Sequence, residues 1–366
     1  MAAFSPGQLS QLAKSAAVES GFQLCGVASL IREMSELAYF PAWISAGRAG
    51  EMEYLKARDE KGEFKRASPA NAAPWAKSVV VCALNYDTAQ PYSTAVAGGK
   101  RRGWIARYAW SRQDYHKVVL KKLRCVEAAL AEAANNQIIT RSYVDTGPHI
   151  ERIYAKYAGV GWIGKNTCIL HEQQGSWIFL GVILCSFELE PDLPAPDRCG
   201  SCTRCIEACP TAAIPEPYRL DATRCISYLT IEKRGAIPEA LRPLMGNHVF
   251  GCDICQDVCP WNDPSRPEIQ RTPFGTAPEL SPRPELVNPA LDWLAAMTAD
   301  DFQRVFRGSP VKRARYSGLR RNVSVAMGNS GDQSFLPQLE RMSNDADPLV
   351  AEHARWAIER LRAKRG

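Results

Sequence analysis

Eight cysteines fall between Cys199 and Cys259, and their spacing limits what the chain can become more than any other feature. Residues 199–210 read CGSCTRCIEACP, residues 252–260 read CDICQDVCP, and Cys225 stands alone between them. C-x2-C-x2-C-x3-C-P is the spacing by which a short loop turns three thiolates onto one iron–sulfur cube while the fourth reaches a neighbouring cube. Zinc takes four ligands, usually in pairs, and a third thiolate two residues beyond a C-x2-C pair is seldom placed on it. Two 4Fe-4S clusters are therefore expected. The crossover rule assigns Cys199, Cys202, Cys205 and Cys259 to one and Cys209, Cys225, Cys252 and Cys255 to the other. Cys225 substitutes for the leading cysteine of a regular second run, whose place is taken by Val249.

A disulfide framework would need an oxidising compartment, and Met1 to Pro6 has neither the basic start nor the apolar middle of a secretory signal. A cytoplasmic protein is expected, with Cys25, Cys82, Cys125, Cys168 and Cys185 as buried free thiols. No apolar run approaches the roughly 18 to 20 residues of a membrane span. With 366 residues, 46% of them hydrophobic and 23% charged, the chain can bury the cores of more than one globular domain.

Ahead of the cysteines the pattern alternates between helix and strand. Leu9, Leu12 and Ala16 share a helical face that breaks at Gly21, and residues 22–28 read as a strand. Residues 78–84 (SVVVCAL) are apolar almost throughout, which predicts a strand covered on both faces. Val119, Leu120, Leu123, Val126 and Leu130 mark a helix, residues 137–144 alternate as a strand, and residues 175–187 form a last strand. Asp145, at the end of its strand in VDTGP (144–148), is placed either to point into a cleft as a proton donor or to form an Asx turn or helix cap. His116, at a helix start, is a second proton-transfer candidate and equally a structural hydrogen-bonding residue. Gly159, Gly161 and Gly164 fit G-x-G-x-x-G, but no strand precedes them, so a dinucleotide fingerprint is not indicated. These glycines allow close backbone approach, and Lys165 beside them could meet an anion.

Behind the cysteines, residues 264–289 hold seven of the 25 prolines and read as a wrapping linker. From Phe302 onward thirteen Lys or Arg stand against six Asp or Glu, which accounts for the chain's net charge of +6. Residues 302–321 carry seven basic side chains and no acid, with Phe306 and Tyr316 among them. Such a stretch can hold phosphates and stack a base, although a solvated helical face with aromatics turned to the core fits it equally. Paired helices follow at 319–328, 334–342 and 348–364, the last with an inward stripe of Val350, Ala354, Ala357, Ile358 and Leu361. One such unit cannot bury its own face and must lean on the cluster region.

Taken together, VDTGP (144–148), AGVGWIGKN (158–166), CGSCTRCIEACPTAAI (199–214), RCISYLTIE (224–232) and GCDICQDVCPWN (251–262) closely resemble the epoxyqueuosine reductases. The likeness extends into RRNVSVAMGN (320–329) and HARWAI (353–358). It implies an α+β fold: an α/β, nitroreductase-like cobalamin-binding domain over 1–190, a bacterial-ferredoxin-like two-cluster module over 191–265, a linker over 266–301 and an α-helical, HEAT-like region over 302–366. It implies reduction of the epoxide of epoxyqueuosine at the tRNA wobble position, with cobalamin and two 4Fe-4S clusters, and Asp145 as proton donor. By family position Tyr108, Asp145, Ile169, Leu180 and Lys165 would line the corrin. Ser68 before Pro69 departs from the family's usual arginine there, and Val119 stands where a D-x-H-x-x-G corrinoid motif needs glycine, so His116 is not assigned to cobalt. Arg307, Lys312, Arg313, Arg315, Arg320 and Arg321 are the expected tRNA contacts. The expected partners are tRNA and a low-potential electron donor, with no membrane, and the protein is expected to be a monomer.

Two rivals stay open at this level. A dehalogenase-type reductase would lack RNA affinity, and a non-catalytic electron carrier would need no acid at Asp145.

Overall fold

A computed structural model describes residues 4–96, 99–134, 138–263, 265 and 277–363. They group into two compact units. The first comprises Met1–Thr88, Tyr115–Cys202 and Pro260–Leu280, the second Ala89–Asp114, Thr203–Cys259 and Ser281–Gly366.

The first unit is built on a four-stranded sheet in the order β1 (Leu24–Ser29), β2 (Ser78–Asn85), β7 (Ile178–Cys185), β4 (Thr140–Tyr143). Every pairing in it is antiparallel, so the unit is α+β rather than a parallel α/β sheet. All eight residues of β2 are buried, as its unbroken apolar run predicts. Val79, Val81 and Ala83 face a cluster with Ile153 and Tyr154 of α6 (Glu151–Tyr157). On β7, Gly181 leaves room for Val119 and Leu123 of α5 (Tyr115–Ala133), where any Cβ would collide with both. The helical stripe of α5 is buried at Val119, Leu123, Val126 and Leu130, each fully buried aliphatic contributing about 1.5–3 kcal/mol. α1 (Pro6–Glu19) starts at a capping box between Ser5 and Gln8. The short helices α2 (Tyr39–Ser45) and α3 (Pro69–Ala72) follow, and Ser68 caps α3 by accepting the Ala70 N–H at 3.2 Å. Residues 162–170 form a small hairpin, β5 (Trp162–Ile163) with β6 (Ile169–Leu170).

The second unit centres on a short parallel pair, β3 (Trp104–Ile105) beside β8 (His248–Phe250). This pairing draws residues 89–114 out of the expected N-terminal domain, and with them α4 (Ser93–Val96). The cluster loops carry three short helices, α7 (Arg204–Glu207), α8 (Ile226–Ile231) and α9 (Ile254–Asp257). The C-terminal helices are α10 (Leu291–Ala296), α11 (Ala299–Val305), α12 (Arg315–Ser330), α13 (Leu336–Met342) and α14 (Pro348–Ala363). One apolar core joins Trp104, Val249 and Phe250 to the α14 stripe of Val350, Ala354, Ala357, Ile358 and Leu361, so the tail leans on the cluster region as its single unpaired face requires. Residues 266–276 of the expected linker lie outside the described residues, as do Gln137 and Lys364 at the ends of an expected strand and helix. Residues 277–301 are folded rather than linking: Leu286, Leu291 and Leu294 are buried in that same core.

None of the thirteen cysteines is in a disulfide. Cys82 and Cys185 are buried as expected, whereas Cys25 and Cys168 are half-buried and Cys125 is exposed on α5. Among the described residues no helix is long and apolar enough to cross a membrane.

Candidate active site and cluster-binding loops

Asp145 stands on the turn that leaves β4 at the sheet edge. Its backbone is left-handed, with φ at 57°, a conformation aspartate tolerates better than most residues. The turn is tight, with Thr146 N donating to Val144 O at 2.7 Å, and it needs glycine at 147 because a Cβ there would strike the Tyr143 ring. Arg66, itself buried, pins the turn from below: its Nη2 donates to Gly147 O at 2.8 Å and its Nη1 to Tyr54 O at 2.7 Å. The Asp145 side chain is 71% exposed and accepts a hydrogen bond from the Tyr115 hydroxyl at 2.9 Å. His116 Nε2 lies 3.9 Å from the same oxygen. Asp145 does not cap α6, whose N-cap is Ile150. Behind Tyr115 the rings of Tyr86, Phe179, Tyr115 and His116 stack in succession at 4.3, 4.2 and 4.0 Å between centroids, which fixes the phenol's direction.

Two further ionisable groups, His149 and Glu151, follow the turn in the chain. Burial, reinforced by the charge of Asp145, pushes the Glu151 carboxyl up to about 7, and its Oε1 is hidden without a hydrogen bond. Burial and then the Arg66 charge press His149 down to about 4, so it is neutral at pH 7, with Nδ1 3.3 Å from the Tyr154 hydroxyl. Nothing in the sequence marks these residues. Glu151 sits where an acid commonly opens a helix, and only the packing of Arg66 against the turn reveals its burial.

The glycine-spaced stretch approaches the chain itself, not a ligand. A Cβ at Gly161 or Gly164 would meet Leu170 across the β5–β6 hairpin, and one at Gly159 would meet the Leu193 carbonyl. Lys165 is buried and committed: its Nζ donates to Gly200 O at 2.6 Å and Cys202 O at 3.0 Å. It braces the first cysteine loop instead of awaiting an anion or a corrin. Burial pushes the Cys199 thiol up, and the nearby Lys165 amide works against that rise. Of the other residues expected at the corrin, Ile169 is buried in the first unit's core, Leu180 is half-buried on β7, and Tyr108 lies in the second unit, 6.0 Å from the Phe250 ring.

In the second unit three thiols approach closely enough to feel one another's charge. Burial pushes Cys252 well up, with Cys225 and Cys209 adding to it, and burial then Cys209 do the same to Cys225. Backbone N–H groups point at the sulfurs: Ala213 N lies 3.3 Å from Cys209 Sγ, Ser227 and Tyr228 donate to Cys225, and Ile254 donates to Cys252. Half-buried thiols with amide donors beside them are the environment that a thiolate-ligated cluster requires and a protonated thiol does not. Cys255, in α9, is half-buried. Among the described residues no three His, Cys, Asp or Glu side chains form a cage for a single metal ion.

The basic stretch divides sharply. Arg307, Lys312, Arg313 and Arg315 are exposed, Arg313 with a fork of two 2.9 Å hydrogen bonds to Glu232. Arg320 is half-buried, paired with Asp345 and packed over the Tyr316 ring. Arg321 is fully buried and satisfied by backbone carbonyls, which removes it from the expected tRNA contacts. Phe306 is fully buried too, and Tyr316 is tied to Met297 O at 2.7 Å, so the core reading holds for both aromatics.

An antiparallel α+β unit with an anchored carboxyl, together with loops of amide-ringed thiols, defines an iron–sulfur oxidoreductase. Residues 198–262 match a family model described as a 4Fe-4S double cluster binding domain, and residues 66–146 match one described as Epoxyqueuosine reductase QueG, DUF1730. Epoxyqueuosine reductase of Pseudomonas aeruginosa is 40% identical, over 97% of this chain and 95% of its own, and that of Escherichia coli is 38% identical over 96% and 89%. The crystal structure of an epoxyqueuosine reductase with an epoxyqueuosine-modified tRNA-Tyr stem loop superposes with a TM-score of 0.83, at 33% identity over 97% of this chain and 90% of that one. The chain belongs to the epoxyqueuosine reductase family.

Proposed function

We propose that this protein reduces epoxyqueuosine to queuosine at the wobble position of tRNA, the last step in making that nucleoside. The observation that carries the reading is the exposed Asp145 carboxyl, anchored by Tyr115, in a chain of this family that has a double-cluster domain. Opening an epoxide to an alkene consumes two electrons and two protons and releases the oxygen as water. The departing oxygen is a poor leaving group until protonated, which gives a positioned acid its purpose. Asp145 is that acid; Tyr115 and the Arg66-pinned turn aim it. A Bacillus subtilis relative is described with its catalytic aspartate loop swung out of the active site, which agrees with placing the acid on a turn.

Cys199, Cys202, Cys205 and Cys259 would hold one cube, and Cys209, Cys225, Cys252 and Cys255 the other. Cobalamin, when bound, supplies the reduced metal that delivers the electrons. The apolar, half-buried Leu180 suits the face of a corrin, with Ile169 and Tyr108 as further contacts; Lys165 is left out because its ammonium is already bound. Ser68 caps α3, so a corrin contact through the family's arginine is not available from that position. Arg307, Lys312, Arg313 and Arg315 offer exposed charge to the tRNA backbone, Arg320 less so, and the C-terminal helices would present them as a HEAT-like surface. A cytoplasmic monomer served by a low-potential donor completes the reading. The test is anaerobic reconstitution with iron, sulfide and cobalamin, then reaction with tRNA carrying epoxyqueuosine under a chemical reductant. Conversion to queuosine is expected, and a reconstituted protein that leaves the epoxide intact would refute it.

A further inference from the structure

Cys225 belongs to neither cysteine run, so tertiary contacts must deliver it to its cluster. α8 begins immediately after it, and β8 ends two residues before Cys252. One side chain spans these two elements. Asn322, fully buried in α12, donates through Nδ2 to Thr230 O in α8 and to Val249 O in β8, each at 2.8 Å. Its amide orientation is fixed by its neighbour, because Arg321 Nε and Nη2 donate to Asn322 Oδ1 at 3.0 and 2.9 Å. The same guanidinium closes the C-terminal end of α8, donating to Leu229 O at 2.6 Å, Lys233 O at 2.9 Å and Gly235 O at 2.7 Å. Thr230 Oγ1 completes the bridge by accepting the Gly251 N–H at 2.8 Å, one residue from Cys252. Gly251 has φ at 69°, and a Cβ there would strike Ala106, so this corner has little freedom to move.

We propose that Asn322, oriented by Arg321, is the positioning residue that sets Cys225 against Cys252 in the second cluster, with Thr230 relaying the constraint to the Gly251 corner. This rests on the double-cluster reading. The strand-to-helix distance is fixed by two hydrogen bonds from one amide, and buried carbonyls that lose such a donor have no solvent to replace it. α12 is thereby part of the cluster's scaffold, with only Arg315 at its start offering exposed basic charge.

Whole protein, reconstituted anaerobically with iron and sulfide, would be compared as wild type, Cys225→Ser, Asn322→Leu, Thr230→Val and Thr230→Ser. The readouts are iron per chain, the electron paramagnetic resonance of each reduced cube, and its midpoint potential. Wild type should hold about eight irons, and Asn322→Leu should lose about half of them, as Cys225→Ser does, with the other cube's signal retained. Thr230→Val, nearly isosteric, should keep both cubes while shifting the signal and potential of the second alone, and Thr230→Ser should restore both. If Asn322→Leu does not fold, the Thr230→Val shift decides. A wild type without a second cube sinks the cluster reading itself. Two cubes in wild type, with Asn322→Leu and Thr230→Val unchanged in iron, signal and potential, overturns the positioning role alone.

Discussion

The Tyr115 hydroxyl donates to Asp145 Oδ2 across 2.9 Å, from the first residue of α5 to the turn leaving β4. Tyr115 is held by stacking on Phe179, whereas Asp145 is largely open, so the phenol acts as the fixed partner and the carboxyl as the aimed one. Replacing Asp145 by Asn should lower turnover by about a hundred to ten thousand times, the usual contribution of a general acid. Tyr115→Phe keeps the ring stack and removes only the hydrogen bond that aims the carboxyl; a loss of up to about tenfold is expected for one such bond. Single-turnover conversion of epoxyqueuosine tRNA measures both, with iron content unchanged.

Glu151 gives the fold a dependence on pH. Its folded value of about 7 exceeds the ordinary 4.5, so the folded state binds its proton more tightly than the unfolded chain does. Its contribution is intact below about pH 4.5 and is lost as pH rises through 7. The full loss is on the order of 3 kcal/mol from a shift of this size. Glu151→Gln, which cannot ionise, should gain thermal stability relative to wild type between pH 5 and about 8, as followed by melting temperature. A difference that stays flat across that range would contradict a buried, raised carboxyl.

Lys165→Met keeps the aliphatic stem and removes the ammonium from Gly200 O and Cys202 O. Charged hydrogen bonds of this kind contribute about 1.5–3 kcal/mol each, so the loop bearing Cys199 and Cys202 should loosen. Iron release to a chelator should accelerate about tenfold or more on that scale. RNA affinity should not change.

Exposed and buried arginines should part company under mutation. Lys312→Ala and Arg315→Ala should each weaken stem-loop binding and reduce its salt slope by about one, without changing the melting temperature. Arg321→Ala should instead destabilise by roughly 3–5 kcal/mol, because its carbonyl partners are buried with it. Titrations at several salt concentrations, paired with thermal melts, separate the two outcomes.

The parts legible in the sequence are those whose physics is local. Cysteine spacing marked a double-cluster module, which the family match over residues 198–262 bears out; an unbroken apolar run in residues 78–84 required burial on both faces; and the 3.6-residue period in α14 picked out a stripe that is in fact buried. Asp145 was readable as a polar residue at a strand end, though not its rival readings' fate, which depended on Tyr115 thirty residues earlier.

Tertiary structure alone decided what the charged side chains touch. Arg313 and Arg321 are both basic residues of one stretch, yet one is exposed and the other buried, because α12 is covered almost all round and even Asn322 and Ser324 are fully buried. A helix like that has no polar face from which exposure could be read. Lys165 likewise took its role from a partner remote in sequence, the loop at Gly200, and Glu151 from its burial. Backbone geometry repeats every few residues and so leaves its mark in the sequence; an ionic side chain's partner is set by where the chain returns, which only the folded molecule specifies.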